Sequence, residues 1–311
     1  MNCLKNVVGI RCQGDSSSSG LYVEDLEGIN IKTAAQIADN RYQSGIDLIA
    51  KKKDFAVKAI VNDIRSQFLP YFRTNSIVDE LKVGTYKDTT LTPSPFARGI
   101  QIKTRNSKLL KIRVSTIEIR LADFNYTGIL DIIDGTNKTS YDFETDNEGV
   151  ALIEVNYLSS ENEIQVVIED PNIKPIDAYV KKGCNCYTRR SEFLHATGYK
   201  DGDKASSTFG LSVQFLAECD NEKLICLISN QLGFPILYKT GIEIVKEWIA
   251  SDRLNPVTII DDGTEEFLLE NFENEYKKQL NLLIETLPKL MNHLDDVCVV
   301  CVGNHYVEAI P

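Results

Sequence analysis

The chain has 311 residues with 34 basic against 45 acidic side chains, a formal net charge of −11. Hydrophobic residues make up 43% and charged residues 25%, values of a globular protein with room for about two domains, and they exclude a disordered chain, a collagen and a coiled-coil rod. The longest purely apolar runs, such as Val297–Val302, fall far below the roughly 20 residues of a membrane span, and the first residues hold no apolar stretch of signal-peptide length.

Residues 1–32 carry a polar run, DSSSSG at 15–20, followed by Leu21, Val23, Leu26 and Ile29. This reads as an extended N-terminal arm whose apolar residues anchor on something else. Thr33 is placed to cap a helix running to about Gly45. A second helix, about 46–68, puts Val57, Val61, Ile64 and Phe68 on one face with Lys51, Lys52 and Lys53 turned to water, and Pro70 closes it.

From residue 96 the period changes from 3.6 to 2. Runs at 100–103, 110–121, 128–133, 139–144, 150–157 and 163–169 are mostly rich in Ile and Val, and turn residues separate several of them. The apolar parity switches between Val114 and Ile117, which calls for a bulge or turn near Ser115 and Thr116. Six such strands predict a small antiparallel β-sandwich, immunoglobulin-like in outline. Residues 173–206 read as a polar connector, and the helical period returns over 207–311. There Thr264 opens a long helix carrying Leu268, Phe272, Tyr276, Leu280 and Leu283 on one stripe, with Pro288 as its stop. The expected fold class is therefore α+β: a helical domain, with parts at 33–95 and 207–311, interrupted by a sandwich over 96–172.

The net charge disfavours a protein whose task is to grip phosphate backbones, since that affinity comes from Lys and Arg displacing counterions. The basic clusters Lys51–Lys53, Lys181-Lys182 and Arg189-Arg190 read as solvated faces. Eight cysteines stand at 3, 12, 184, 186, 219, 226, 298 and 301, and without an export signal a reducing compartment is the expectation. The close pairs Cys184/Cys186 and Cys298/Cys301 could together give a tetrahedral zinc four thiolates, with His305 as a substitute ligand. Buried free thiols come ahead of that reading, and disulfide or redox chemistry after it. Cys219 and Cys226 read as helix or core cysteines.

Catalytic motifs do not emerge: the sequence has no phosphate-binding Gly-rich loop, no GxSxG and no HExxH. The three histidines, His195, His293 and His305, are scattered. Asp201-Gly202-Asp203 begins like a calcium loop but lacks its later glycine and its closing acid.

Two stretches carry a resemblance. The first is NVVGIRC…SSGLYVEDLEGINIKTAAQIAD at 6–39, and the second is FGLSVQFLAECDNEKLICLISNQLGFPILYKTGIEIVKEWIASDRLN at 209–255, followed by FLLENFENEYKKQLNLLIETLP and a terminal CVVCVG…YVEAIP. Together they resemble the neck or ring proteins of crAss-like phages that infect Bacteroidetes. The resemblance covers roughly half of the chain. It implies a non-enzymatic virion component, a homo-oligomeric ring between portal and tail that usually matches the portal's twelve subunits. Its implied partners are the portal and the neighbouring tail and ring proteins; genomic DNA passes through the lumen without specific binding, and no membrane is involved. Assembly would take place in the host cytoplasm. The competing readings are a glycan- or receptor-binding module of a phage tail, and a zinc-binding protein whose four protein ligands would close the metal to substrate.

Overall fold

The computed structural model describes residues 2–68, 72–180, 191–251, 264–292 and 296–300. It is mixed α and β, with five α-helices and several antiparallel sheets. The described residues divide into a helical unit, drawn from Met1–Phe72, Glu222–Asp295 and Val299–Pro311, and a β unit, drawn from Arg73–Asn221 and Asp296–Cys298.

In the helical unit, α1 (Ile31–Ile37) is capped by Asn30, whose side chain accepts from the Thr33 amide at 3.0 Å, so the cap lies three residues before the threonine expected to provide it. Helix α2 (Gly45–Phe68) starts on Ser44, whose hydroxyl accepts from the Asp47 amide at 3.2 Å while the Asp47 carboxylate accepts from the Gln43 amide at 2.9 Å. Helix α3 covers Asn221–Leu227, α4 Gly233–Ile249 and α5 Thr264–Asn292. The stripe expected on α5 is buried at Leu268, Phe272, Tyr276 and Leu283. It continues through Leu287 and Met291, and the helix runs on to Asn292 instead of stopping at Pro288. A proline forfeits one backbone hydrogen bond, and two further buried apolar side chains offset that loss. Gly241 lets α4 come close: a Cβ there would lie 2.7 Å from Leu26 and 2.8 Å from Phe272.

The N-terminal segment is not a free arm. Leu4, Val7, Val8, Ile10, Val23, Leu26 and Ile29 are all buried within the helical unit. Short parallel strands β1 (Val8–Gly9) and β2 (Leu21–Tyr22) pair, and the serines of the polar run close the loop between them, with Ser17 Oγ donating to the Val7 carbonyl at 2.9 Å. The residues expected to anchor on a neighbour bury against their own chain, because apolar side chains at this density find the nearest hydrophobic face first.

The β unit has a six-stranded sheet, a four-stranded sheet and a two-stranded ribbon. Its strands are β3 (Ile77–Val83), β4 (Thr85–Thr90), β5 (Arg98–Thr104), β6 (Leu110–Arg120), β7 (Thr127–Asp134), β8 (Asn137–Glu144), β9 (Val150–Leu158) and β10 (Glu163–Ile168). They continue with β11 (Ile176–Tyr179), β12 (Leu194–Lys200), β13 (Asp203–Ala205) and β14 (Leu211–Cys219). The six-stranded order is β13-β12-β5-β10-β7-β8, the four-stranded order β3-β14-β6-β9, and β4 pairs β11. Each period-2 run of the sequence lies in one of β5 to β10. The ladder shifts register at Ser115 against both neighbours of β6, the bulge that the parity switch requires.

The unit is larger than the 96–172 sandwich expected from the sequence. It takes in β3 and β4 from the presumed helical part, β11 to β13 from the presumed connector, and β14 from the presumed C-terminal helical part. Strand β14 runs down the middle of its sheet between β3 and β6, and Leu211, Val213, Phe215, Ala217 and Cys219 are all buried. These residues alternate with Ser212, Gln214 and Glu218, a period-2 pattern interrupted by Leu216. Residues 201–202 are a hairpin turn between β12 and β13, with Asp201 at φ 47° and Gly202 at φ 90°, so Asp-Gly here serves turn geometry.

Asp79 of β3 clamps the start of β12. Its carboxylate accepts from Ser191 Oγ at 2.6 Å and from the Phe193 amide at 3.0 Å. Burial, the largest influence, pushes this carboxyl up, but the hydrogen bonds from Ser191, Phe193 and the Glu80 and Glu192 amides together outweigh it and hold it below the ordinary range. A depressed folded-state value means that the contribution is fully present above the usual carboxylate range and is lost as pH falls through the folded value. Asp79→Asn is expected to lower stability by about 1–2 kcal/mol at neutral pH and to flatten the loss of stability between roughly pH 5 and 3. Urea midpoints measured across that range check it; parallel curves for the two proteins would refute the clamp.

Candidate functional site

Three features were candidates for chemistry: the cysteines, the basic clusters and the histidines. Cys298 meets Cys219 of β14, with Cα atoms 5.5 Å apart and the sulfurs bonded, and both residues are fully buried. A second bridge joins Cys3 to Cys226 of α3, with Cα atoms 5.6 Å apart. The buried-free-thiol reading is thereby corrected at Cys298; Cys219 and Cys226 are bridged, and the proposed four-thiolate zinc site loses Cys298. The other three candidate ligands, Cys184, Cys186 and Cys301, lie outside the described residues, as does His305. Among the described residues no group of three or more His, Cys, Asp or Glu side chains is placed to hold a metal ion. Cys12 is exposed and is the free thiol among the described residues.

Local spacing pointed to the wrong partners because it weighs neighbours in sequence, whereas these bridges span 223 and 79 residues. The inner face of β14 ends on Cys219, and the Asp296–Cys298 segment is delivered to it by polar contacts. Ser107 Oγ donates to the Asp296 carboxylate at 2.7 Å, and the Arg73 amide donates to the Cys298 carbonyl at 2.9 Å. Each cross-link stabilises the folded unit by about 2–4 kcal/mol, mainly by restricting the unfolded chain.

The three lysines read as a solvated face are each tied down. Lys51, half exposed, pairs with Asp47 at 2.9 Å. Lys52 pairs with the buried carboxylate of Glu247 on α4 at 2.7 Å. Lys53 is buried, donates to the Val8 carbonyl at 3.2 Å and lies 3.7 Å from Asp15. Consecutive positions on a helix are spaced about 100° apart, so the three point to three different surroundings. Arg41 adds a second cation to Glu247 and also pairs with Asp39. The Asp39 hydrogen bond first and the Glu247 charge second hold its guanidinium above the ordinary range. A surface cleft of about 970 Å³ lies beside this group, lined by Ile31, Ala35, Arg41, Tyr42, Ser44 and Lys51 among others. Both cations on its rim are already neutralised by carboxylates, which makes it a poor anion site. Lys181-Lys182 and Arg189-Arg190 lie outside the described residues.

His195 is exposed on β12. Partial desolvation first, then the positive charges of Arg105, Lys103 and Lys204, keep its imidazole below the ordinary value. It has no nucleophile beside it in the described hydrogen bonds. His293 lies outside the described residues. No helix of the described residues is long and apolar enough to cross a membrane.

Sequence reasoning missed Asp134, a buried carboxylate of the β unit that accepts four hydrogen bonds. It is 1% exposed and accepts from Tyr157 Oη at 3.0 Å, Ser160 N at 2.6 Å, Ser160 Oγ at 2.9 Å and Glu161 N at 3.0 Å. It fixes the β9–β10 turn to the end of β7, an architectural task. Its one sequence signal, an Asp before a glycine at a hairpin, points to the β7–β8 turn and gives no hint of the second one.

Comparison of the chain with family models, curated proteins and solved structures returned no significant match.

Proposed function

We propose that this chain is a virion structural protein that forms a ring between portal and tail, part of the conduit for genome ejection, with no catalytic role. The observation that carries the reading is the placement of the two resembling stretches. Residues 6–39, and the second stretch from Glu222 onward with its α5 continuation, fall in one helical unit, while the central β region sits in a separate unit. The β unit, proposed as a sandwich of immunoglobulin-like outline, then serves contacts with neighbouring proteins, and the helical unit forms the ring body. The acidic net charge and the internal pairing of Lys51, Lys52 and Lys53 fit a wall past which DNA slides without being held. Under this reading the protein resides in the neck or tail of the virion and is assembled in the host cytoplasm beside the portal and the adjoining tail proteins.

Native mass spectrometry of the chain, alone and with its portal, tests it. A closed ring species near twelve copies is expected, together with no shift of duplex DNA at about 150 mM salt. A chain that stays monomeric in both samples, or that binds duplex tightly at that salt, overturns the proposal.

A further inference from the structure

The two bridges differ in what surrounds them. Cys219 and Cys298 are fully buried. Cys3 and Cys226 are half-buried, in a single turn of 3₁₀ helix at Asn2–Leu4 and in the last turn of α3. Beside Cys3, the next residues are held without the bridge. Leu4, Val7 and Val8 are buried, the Lys53 ammonium donates to the Val8 carbonyl, and Ser17 donates to the Val7 carbonyl. Packing therefore sets the two sulfurs side by side whether or not they are joined. Opening this bridge frees only the first turn, whereas opening the Cys219–Cys298 bridge requires the Asp296–Cys298 segment to leave its bonds to Ser107 and Arg73.

We propose that Cys3 and Cys226 form a thiol–disulfide exchange site that works in the folded protein, with a low-molecular-weight disulfide of the glutathione class as its oxidant, while Cys219–Cys298 is closed to such exchange. One thiolate of the pair attacks a sulfur of the oxidant and expels one small thiolate, leaving a mixed disulfide on the protein. The second protein thiolate then attacks the protein sulfur of that mixed disulfide and expels the other small thiol. The sum is two protein thiols and one small disulfide giving one protein disulfide and two small thiols, with electrons and protons balanced. The half-buried Cys3 and Cys226 are open to the in-line approach that exchange requires, and the fully buried Cys219 and Cys298 are not. The Cys3–Cys226 pair thus closes its bridge, which spans 223 residues, after folding, when the reduced pair meets an oxidising medium. The reading of this closure as hardening of a released particle rests on the virion proposal; the chemistry of the pair does not.

The test is a glutathione redox titration of the intact folded chain, followed by acid quench, alkylation and peptide mapping. Cys3 and Cys226 are expected to exchange at least about 100-fold faster than Cys219 and Cys298, whose reaction waits for local opening, and denaturant should abolish the difference. Cys3→Ser should remove the fast phase and Cys12→Ser should leave it unchanged. Equal rates for the two pairs, a fast phase at Cys219 and Cys298, or Cys3 recovered in a bridge with Cys12 would each overturn the proposal. Since the readout is made on the isolated chain, it fails or succeeds independently of ring formation.

Discussion

A chain beginning at Asn30 is expected to lose the cooperative folding of its helical unit. The segment it lacks contributes Leu4, Val7, Val8, Ile10, Val23, Leu26 and Ile29, every one of them buried. At about 1.5–3 kcal/mol for each fully buried side chain, their loss removes on the order of 10 kcal/mol, comparable with the whole stability of about 5–15 kcal/mol of a folded domain. The deletion also strips the Cys226 bridge and leaves the Lys53 ammonium without its carbonyl partner at Val8. Gly241 of α4 loses the Leu26 side chain that packs against it. Circular dichroism on heating and the soluble yield are the measurements. A truncated chain that melts cooperatively within a few degrees of the intact one would show that the segment is an appendage after all. Leu4→Ala, expected to cost about 2–5 kcal/mol, gives a graded version should the deletion prove insoluble.

The second large effect is expected at Asp134. Replacing it with alanine leaves the Tyr157 hydroxyl, the Ser160 amide and hydroxyl, and the Glu161 amide without their acceptor in a part-buried setting. The cost is about 1–3 kcal/mol, the range for leaving hydrogen-bonding groups without their acceptor. The Tyr157 phenol reports on the same contact. Burial first, then the hydrogen bond and charge of Asp134, push it up to about 12. Asp134→Asn keeps the shape and removes the charge, so the phenol should titrate closer to its ordinary value while burial still holds it above that value. An alkaline titration followed by phenolate absorbance, with urea unfolding of both variants, separates the two contributions. An unchanged Tyr157 titration in the asparagine variant would mean that the carboxylate does not govern this turn.

The parts of the fold that were legible in the sequence are those where one face is wet. The runs behind β5 to β10 alternate or carry turn residues at their ends. The bulge at Ser115 was readable because the apolar parity of β6 changes across it, and α5 because Leu268, Phe272 and Tyr276 recur every fourth residue. β14 alternates as well, but Leu216 interrupts the pattern and the strand sits beside helical segments, so its nine residues passed for part of a helical region. In α2 the stripe turned out to be Leu48, Ile49, Ala56, Ile60, Val61 and Ile64, with Lys53 inside it. A lysine in the middle of a basic run carries no mark in the sequence that it will bury its stem and satisfy its ammonium on a backbone carbonyl.

The sequence by itself determined the α+β class, the strand runs behind β5 to β10, the absence of a known catalytic motif and the acidity of the whole. Those follow from composition and short-range periodicity, which act over a few residues. Only the tertiary structure decided the destination of the N-terminal segment, the partners of Cys3, Cys219, Cys226 and Cys298, the second turn held by Asp134 and the two cations gathered on Glu247. Each of these joins positions far apart in the chain, in the case of Arg41 and Glu247 by 206 residues. Such pairings are set by which buried faces meet, and a contact of that range leaves no periodicity in either of the segments it joins.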